Sequence, residues 1–105
     1  MHLYPDGNAF YFKRRLAEKL NVEPANLILG NGSNEVLELL GHALLFSSGT
    51  PAEVVVSQYC FAVYPIVTAL FGAKLITVPA KNYGHDLDAI LAAITPNSRF
   101  VFVAN

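Results

Sequence analysis

The run Glu53-Val54-Val55-Val56-Ser57 constrains the fold more than any other stretch, because three consecutive β-branched residues leave no polar face between them. A strand with one wet face alternates apolar and polar residues; a strand apolar on both faces needs helices packed on both sides, as in a parallel sheet. The flanking pattern supplies those helices. Phe12, Leu16 and Leu20 recur at steps of four, with Lys13, Arg14, Arg15, Glu18 and Lys19 largely opposite, predicting a surface helix over 8–21 that ends at Asn21-Val22-Glu23-Pro24. Leu27-Ile28-Leu29 reads as a short strand. Val36, Leu37, Leu40, Ala43 and Leu44 then predict a helix to about residue 45, followed by a loop at Ser47-Ser48-Gly49-Thr50-Pro51.

A further helix is expected from Ala62 through Val63, Ile66, Val67, Leu70 and Phe71, with Pro65 tolerated in the first turn and Gly72 closing it. Residues 74–79 read as a strand, Asp86 as the N-cap of a short helix bearing Leu87, Ile90, Leu91 and Ile94, and residues 99–104 as a last apolar strand. Strands alternating with helices predict an α/β fold: a mainly parallel sheet with right-handed crossovers and helices on both faces. The sequence contains no internal repeat, low-complexity segment or domain linker.

The chain has 105 residues, of which 53% are hydrophobic and only 14% charged. That charge content is well below the usual quarter or so, so part of the exterior is expected to be covered, by the rest of a longer polypeptide or by a partner subunit. Seven basic against eight acidic side chains give a net charge of −1, with no basic stripe to meet nucleic-acid phosphates. No apolar run approaches the ~20 residues that span a bilayer, and no signal pattern opens the chain; a cytoplasmic location without membrane or nucleic-acid partners is expected.

Ligands of such sheets bind beyond the carboxyl ends of strands, and two stretches are assigned there. One is Gly30-Asn31-Gly32-Ser33-Asn34-Glu35, between the expected strand 27–29 and a helix. Unpaired N–H groups at a helix start carry a positive partial charge, and glycines let an anion approach the main chain. The same hexapeptide also reads as a turn that only caps a helix. A P-loop is excluded, since no lysine lies between Lys19 and Lys74, and a dinucleotide fingerprint fails because Glu35 stands where its third small residue belongs. The other stretch is 57–61, ending in Phe61, which on composition alone reads as a core aromatic.

The single Cys60, among apolar neighbours, is expected to be a buried thiol. His2, His42 and His85 have no metal-ligand spacing and are expected at surface or half-buried positions. Ser33 lacks the surroundings of a nucleophile elbow.

Taken in order and spacing, Tyr4-Pro5-Asp6-Gly7, Gly30-Asn31-Gly32-Ser33-Asn34-Glu35 and Phe61-Ala62-Val63-Tyr64-Pro65 resemble the histidinol-phosphate aminotransferases. The likeness extends through Asp86-Leu87-Asp88-Ala89-Ile90 and the strand Phe100-Val101-Phe102-Val103-Ala104-Asn105. Taken singly, Tyr4-Pro5-Asp6-Gly7 is also an ordinary turn and Tyr64-Pro65 a helix start.

The resemblance implies a homodimeric transaminase using pyridoxal 5'-phosphate, with the aspartate aminotransferase fold (fold type I). It further implies that residues 1–105 are part of the large cofactor-binding domain, with 1–7 as the intersubunit segment leading into it. By the same resemblance Gly32, Ser33 and Asn34 hold the cofactor phosphate, Phe61 stacks on the pyridine ring, and Tyr4 reaches the cofactor phosphate of the neighbouring subunit. The implied substrates are histidinol phosphate and 2-oxoglutarate. Another pyridoxal-phosphate aminotransferase or decarboxylase is the nearest alternative, and a non-catalytic phosphate-binding or dimerisation module the alternative of another class.

Chemistry of this kind needs a lysine for the Schiff base, an acid at the pyridine nitrogen and an arginine for the substrate carboxylate. None of Lys13, Lys19, Lys74 and Lys81 matches the catalytic position. The chain is therefore expected to be an internal fragment, without transaminase activity of its own and with no catalytic residue among its 105.

Overall fold

The computed structural model describes residues 6–46 and 49–104, which form two compact units, 6–30 and 31–104. Tyr4, His2 and the Ser47-Ser48 part of the expected loop lie outside the described residues.

In the first unit, helix α1 (Phe10–Leu20) is followed by a single 3-10 turn, Pro24–Asn26. The Asp6 carboxylate accepts from the N–H groups of Asn8 (3.1 Å) and Phe10 (3.0 Å), supplying the cap that the first turn needs. Asn21, in the left-handed region at φ 54, ends the helix: its N–H and that of Val22 donate to the carbonyls of Glu18 and Ala17. The expected apolar face is mostly uncovered, since Ala17 is the buried residue of α1 while Phe12 and Leu20 remain exposed.

The expected strand at 27–29 does not form. Leu27 is extended, but none of the three pairs with a strand among the described residues, and a backbone becomes a strand only when a neighbour completes its ladder. Apolar content alone made that segment resemble one.

The second unit carries α2 (Ser33–Leu44), β1 (Glu53–Ser57), α3 (Val63–Leu70), β2 (Lys74–Val78), α4 (Leu87–Ala92) and β3 (Ser98–Phe102). The sheet has order β2-β1-β3, parallel throughout. The apolar run noted in the sequence is thus the central strand, buried along its whole length. Val54 and Val56 pack with Leu45, Ala52 and Val67, on the side of α2 and α3, whereas Val55 packs with Val78 and Ile90, on the side of α4. Each fully buried valine contributes about 1.5–3 kcal/mol, so β1 alone organises both cores.

Helix ends follow local chemistry. Asp86 caps α4 by accepting from the Ala89 N–H at 3.1 Å. At the end of α3, Gly72 takes φ 64, and the N–H groups of Gly72 and Ala73 donate to Ala69 and Thr68 carbonyls, a paired closure that favours glycine. Register between β1 and β3 shifts after the Glu53–Ser98 pair, leaving Arg99 as the extra residue.

Candidate functional site

At the start of α2, Gly32 adopts φ 85 and ψ 171, a backbone region essentially reserved for glycine. No atom lies within 4 Å of where a side chain on Gly32 would begin, so the space above this turn is open. No side chain caps the helix. Among the described residues the N–H groups of Ser33, Asn34 and Glu35 have no backbone acceptor; the first intrahelical bond of the turn is Val36 N–H to Gly32 O at 3.5 Å. Three donors therefore stand unpaired at the positive end of a three-turn helix. The Glu35 carboxylate turns back to accept from the Asn31 N–H and leaves those three donors untouched. Geometry of this kind fits a phosphate group, independently of the strand once expected before it.

The second stretch leaves the carboxyl end of β1. Gln58 holds it to the neighbouring strand's exit: its N–H donates to Val78 O at 2.7 Å, and its side-chain carbonyl accepts from the Ala80 N–H at 3.1 Å. Tyr59 follows in the left-handed region at φ 63, an uncommon conformation for a bulky residue. Phe61 then emerges with 48% of its surface exposed; it is not the core aromatic that composition alone would make it. Cys60 is half-buried against the core rather than fully buried, because the chain has already left the strand there.

Leu37 of α2 and Val63 and Tyr64 of α3 pack on the same core cluster. The two candidate stretches are thereby anchored to one face of β1. The Tyr64 ring lies edge-on to Phe61 (centroids 5.6 Å apart, 86° between planes) and parallel to Phe102 of β3 (4.2 Å, 3°). In the sequence Tyr64 stands out as part of the 61–65 motif and as a helix start, not as a support for Phe61; its stacking partner lies on a distant strand, where no local signal points. Gln58 falls within the 57–61 stretch, but nothing in the sequence singles it out.

At the opposite, amino end of the sheet Glu53 accepts from the Thr95 hydroxyl at 2.5 Å and from Lys74 Nζ at 3.1 Å. The Thr95 hydrogen bond first, and Lys74 second, hold its carboxyl below the ordinary glutamate range. Lys74 is thus engaged away from the Phe61 edge. His42 is exposed and meets Phe71 edge-on, and His85 is half-buried with Nε2 at 2.5 Å from Ala104 O. No group of three or more His, Cys, Asp or Glu able to hold a metal occurs among the described residues. Nor, among them, is any helix long and apolar enough to cross a membrane.

No family model matches the chain. Curated relatives match nearly all of it. A protein of Pseudomonas fluorescens named histidinol-phosphate aminotransferase 2 is 54% identical over 102 residues, 97% of this chain and 27% of the relative. One of the same name from Nitrosospira multiformis is 52% identical over 103 residues, covering 98% and 26%. Histidinol-phosphate aminotransferase 1 of Mannheimia succiniciproducens is 46% identical over 102 residues, covering 97% and 27%. The chain spans about a quarter of the length of these relatives. Among solved structures, histidinol-phosphate aminotransferase from Sinorhizobium meliloti in complex with pyridoxal-5'-phosphate superposes with a TM-score of 0.83 at 29% identity, over 98% of this chain and 27% of that one.

Proposed function

We propose, on the premise that this chain is the counterpart of one segment of the histidinol-phosphate aminotransferases, that it binds the cofactor in a transaminase acting on histidinol phosphate and 2-oxoglutarate. One observation carries the reading: the open, uncapped glycine turn at Gly32 lies within a segment matching such enzymes at 46% to 54% identity. Both units belong, in this reading, to the large domain.

Pyridoxal 5'-phosphate, when bound, supplies an electron sink for loss of a proton next to the amino nitrogen. The roles left to this chain are holding and covering. Gly32 brings the backbone close to the phosphate, the Ser33 and Asn34 amides donate to its oxygens, and the helix end favours its charge. Phe61 lays a flat apolar face against the ring and keeps water from it. Tyr4 is assigned to the cofactor phosphate of a partner subunit in a homodimer, and the enzyme to the cytoplasm. The lysine, ring-nitrogen acid and carboxylate-binding arginine are assigned to residues outside this chain.

The test uses the full-length protein. Visible absorbance should report stoichiometric uptake of pyridoxal 5'-phosphate, with turnover of histidinol phosphate and 2-oxoglutarate. Phe61→Ala should weaken cofactor binding by about 1–3 kcal/mol, the scale of an aromatic stacking contact. Absence of cofactor uptake would overturn the reading, and turnover confined to other amino donors would overturn the substrate assignment.

A further inference from the structure

We propose that Tyr64 is a positioning residue that sets the orientation of Phe61, and that Phe102 fixes Tyr64 in turn. The inference rests on the reading that Phe61 covers the cofactor ring. It extends that reading to two residues with no assigned place at the cofactor.

Phe61 needs help to hold one orientation. It sits past the end of β1 with half its surface exposed, and a phenylalanine with open space around it distributes over several rotamers. Any ligand that stacks on such a ring must order it first, which subtracts from affinity. Among the described residues the aromatic ring against Phe61 is that of Tyr64, edge-on at 5.6 Å and 86°. An edge-to-face pair is an orientational contact, because the positive edge of one ring seeks the negative face of the other. It therefore restrains the tilt of Phe61 while leaving exposed surface for a ligand.

Tyr64 is itself immobilised from three directions. Its N–H donates to Phe61 O at 3.0 Å, its carbonyl accepts from the Thr68 hydroxyl at 2.7 Å, and Thr68 is buried. Its ring lies parallel to Phe102 at 4.2 Å and 3°, and Phe102 contacts Phe100 at 5.4 Å, both packed against the core cluster. The three aromatics form a relay. β3, hydrogen-bonded to β1, fixes Phe102; Phe102 fixes Tyr64; Tyr64 aims Phe61.

A double-mutant cycle in the full-length protein tests this, with the dissociation constant of pyridoxal 5'-phosphate read by titrating the apo form in visible absorbance and circular dichroism. Tyr64→Leu should weaken binding about two- to tenfold, the scale of one aromatic pair contact, whereas Tyr64→Phe, which keeps the ring, should bind like the parent. In a Phe61→Ala background Tyr64→Leu should cost nothing further. An equal loss in both backgrounds, or a Tyr64→Phe loss as large as that of Tyr64→Leu, would overturn the positioning role while leaving the stacking of Phe61 intact. An unchanged dissociation constant for Phe61→Ala alone would overturn the stacking reading and this inference with it. If Tyr64→Leu does not fold by far-ultraviolet circular dichroism, Tyr64→Met, which fills the space without a flat ring, takes its place with the same expected outcomes.

Discussion

Gly32 is the residue whose chemistry leaves least choice. At φ 85 and ψ 171 any side chain meets its own backbone, even though the surrounding space is empty. Gly32→Ala in the full-length protein should therefore cost about 1–3 kcal/mol, measured as the change in unfolding free energy in denaturant. An unchanged stability would mean that the turn relaxes to another conformation at no cost, and that its geometry is not needed. Glycine at this position could be noted in the sequence, yet the need for it could not. A helix-capping turn and a phosphate cradle share the same letters, and the dihedral angles show only that this turn requires glycine.

Among elements, the contact of α2 with α3 is decided at Gly41. A methyl group there would stand 2.3 Å from Phe71 Cε2, well inside contact distance, so the ring at the end of α3 fits against α2 because this residue has no side chain. Alanine gains about 1 kcal/mol of intrinsic helix preference over glycine, but the Phe71 ring must move to admit the methyl group, and overpacking costs typically about 1–3 kcal/mol. Gly41→Ala should be net destabilising by about 1–2 kcal/mol. In a Phe71→Leu background the penalty should vanish or reverse, as denaturant unfolding of the four variants would reveal; an equal penalty in both backgrounds would place the strain elsewhere. The helix itself was legible from Val36, Leu37, Leu40 and Leu44. Gly41 carries no mark in the sequence, because the ring it makes room for, Phe71, lies just past the end of a different helix.

At the scale of the molecule, Glu53 ties the amino end of the sheet together. It is 7% exposed, and it joins β1 to Lys74 of β2 and to Thr95 ahead of β3. Because the Thr95 hydroxyl and Lys74 lower its pKa on folding, its contribution is present above the ordinary glutamate pKa and is lost as pH falls through the folded value. The thermal midpoint of the parent should exceed that of Glu53→Gln at neutral pH, and the gap should close in acid. A gap independent of pH would show that the carboxylate charge is not what the network uses. The other whole-molecule feature is exposed apolar surface, from Phe10, Tyr11 and Phe12 to Phe46 and Ile66. It agrees with the low charge content and with a chain spanning about a quarter of its relatives.

The sequence by itself determined what depends on neighbours along the chain. The helical repeats, the Asp86 cap, the Gly72 stop and the two-faced valine strand all follow from the spacing and chemistry of adjacent residues, and together they specified a parallel α/β sheet. Tertiary structure decided what depends on residues far apart. It left 27–29 unpaired although it reads as a strand, since a ladder needs a partner that local sequence cannot name. It brought Phe102 of one strand beneath Tyr64 of a helix, and so gave Phe61 its support. Periodicity records which side of an element is apolar. Only packing determines what that side meets.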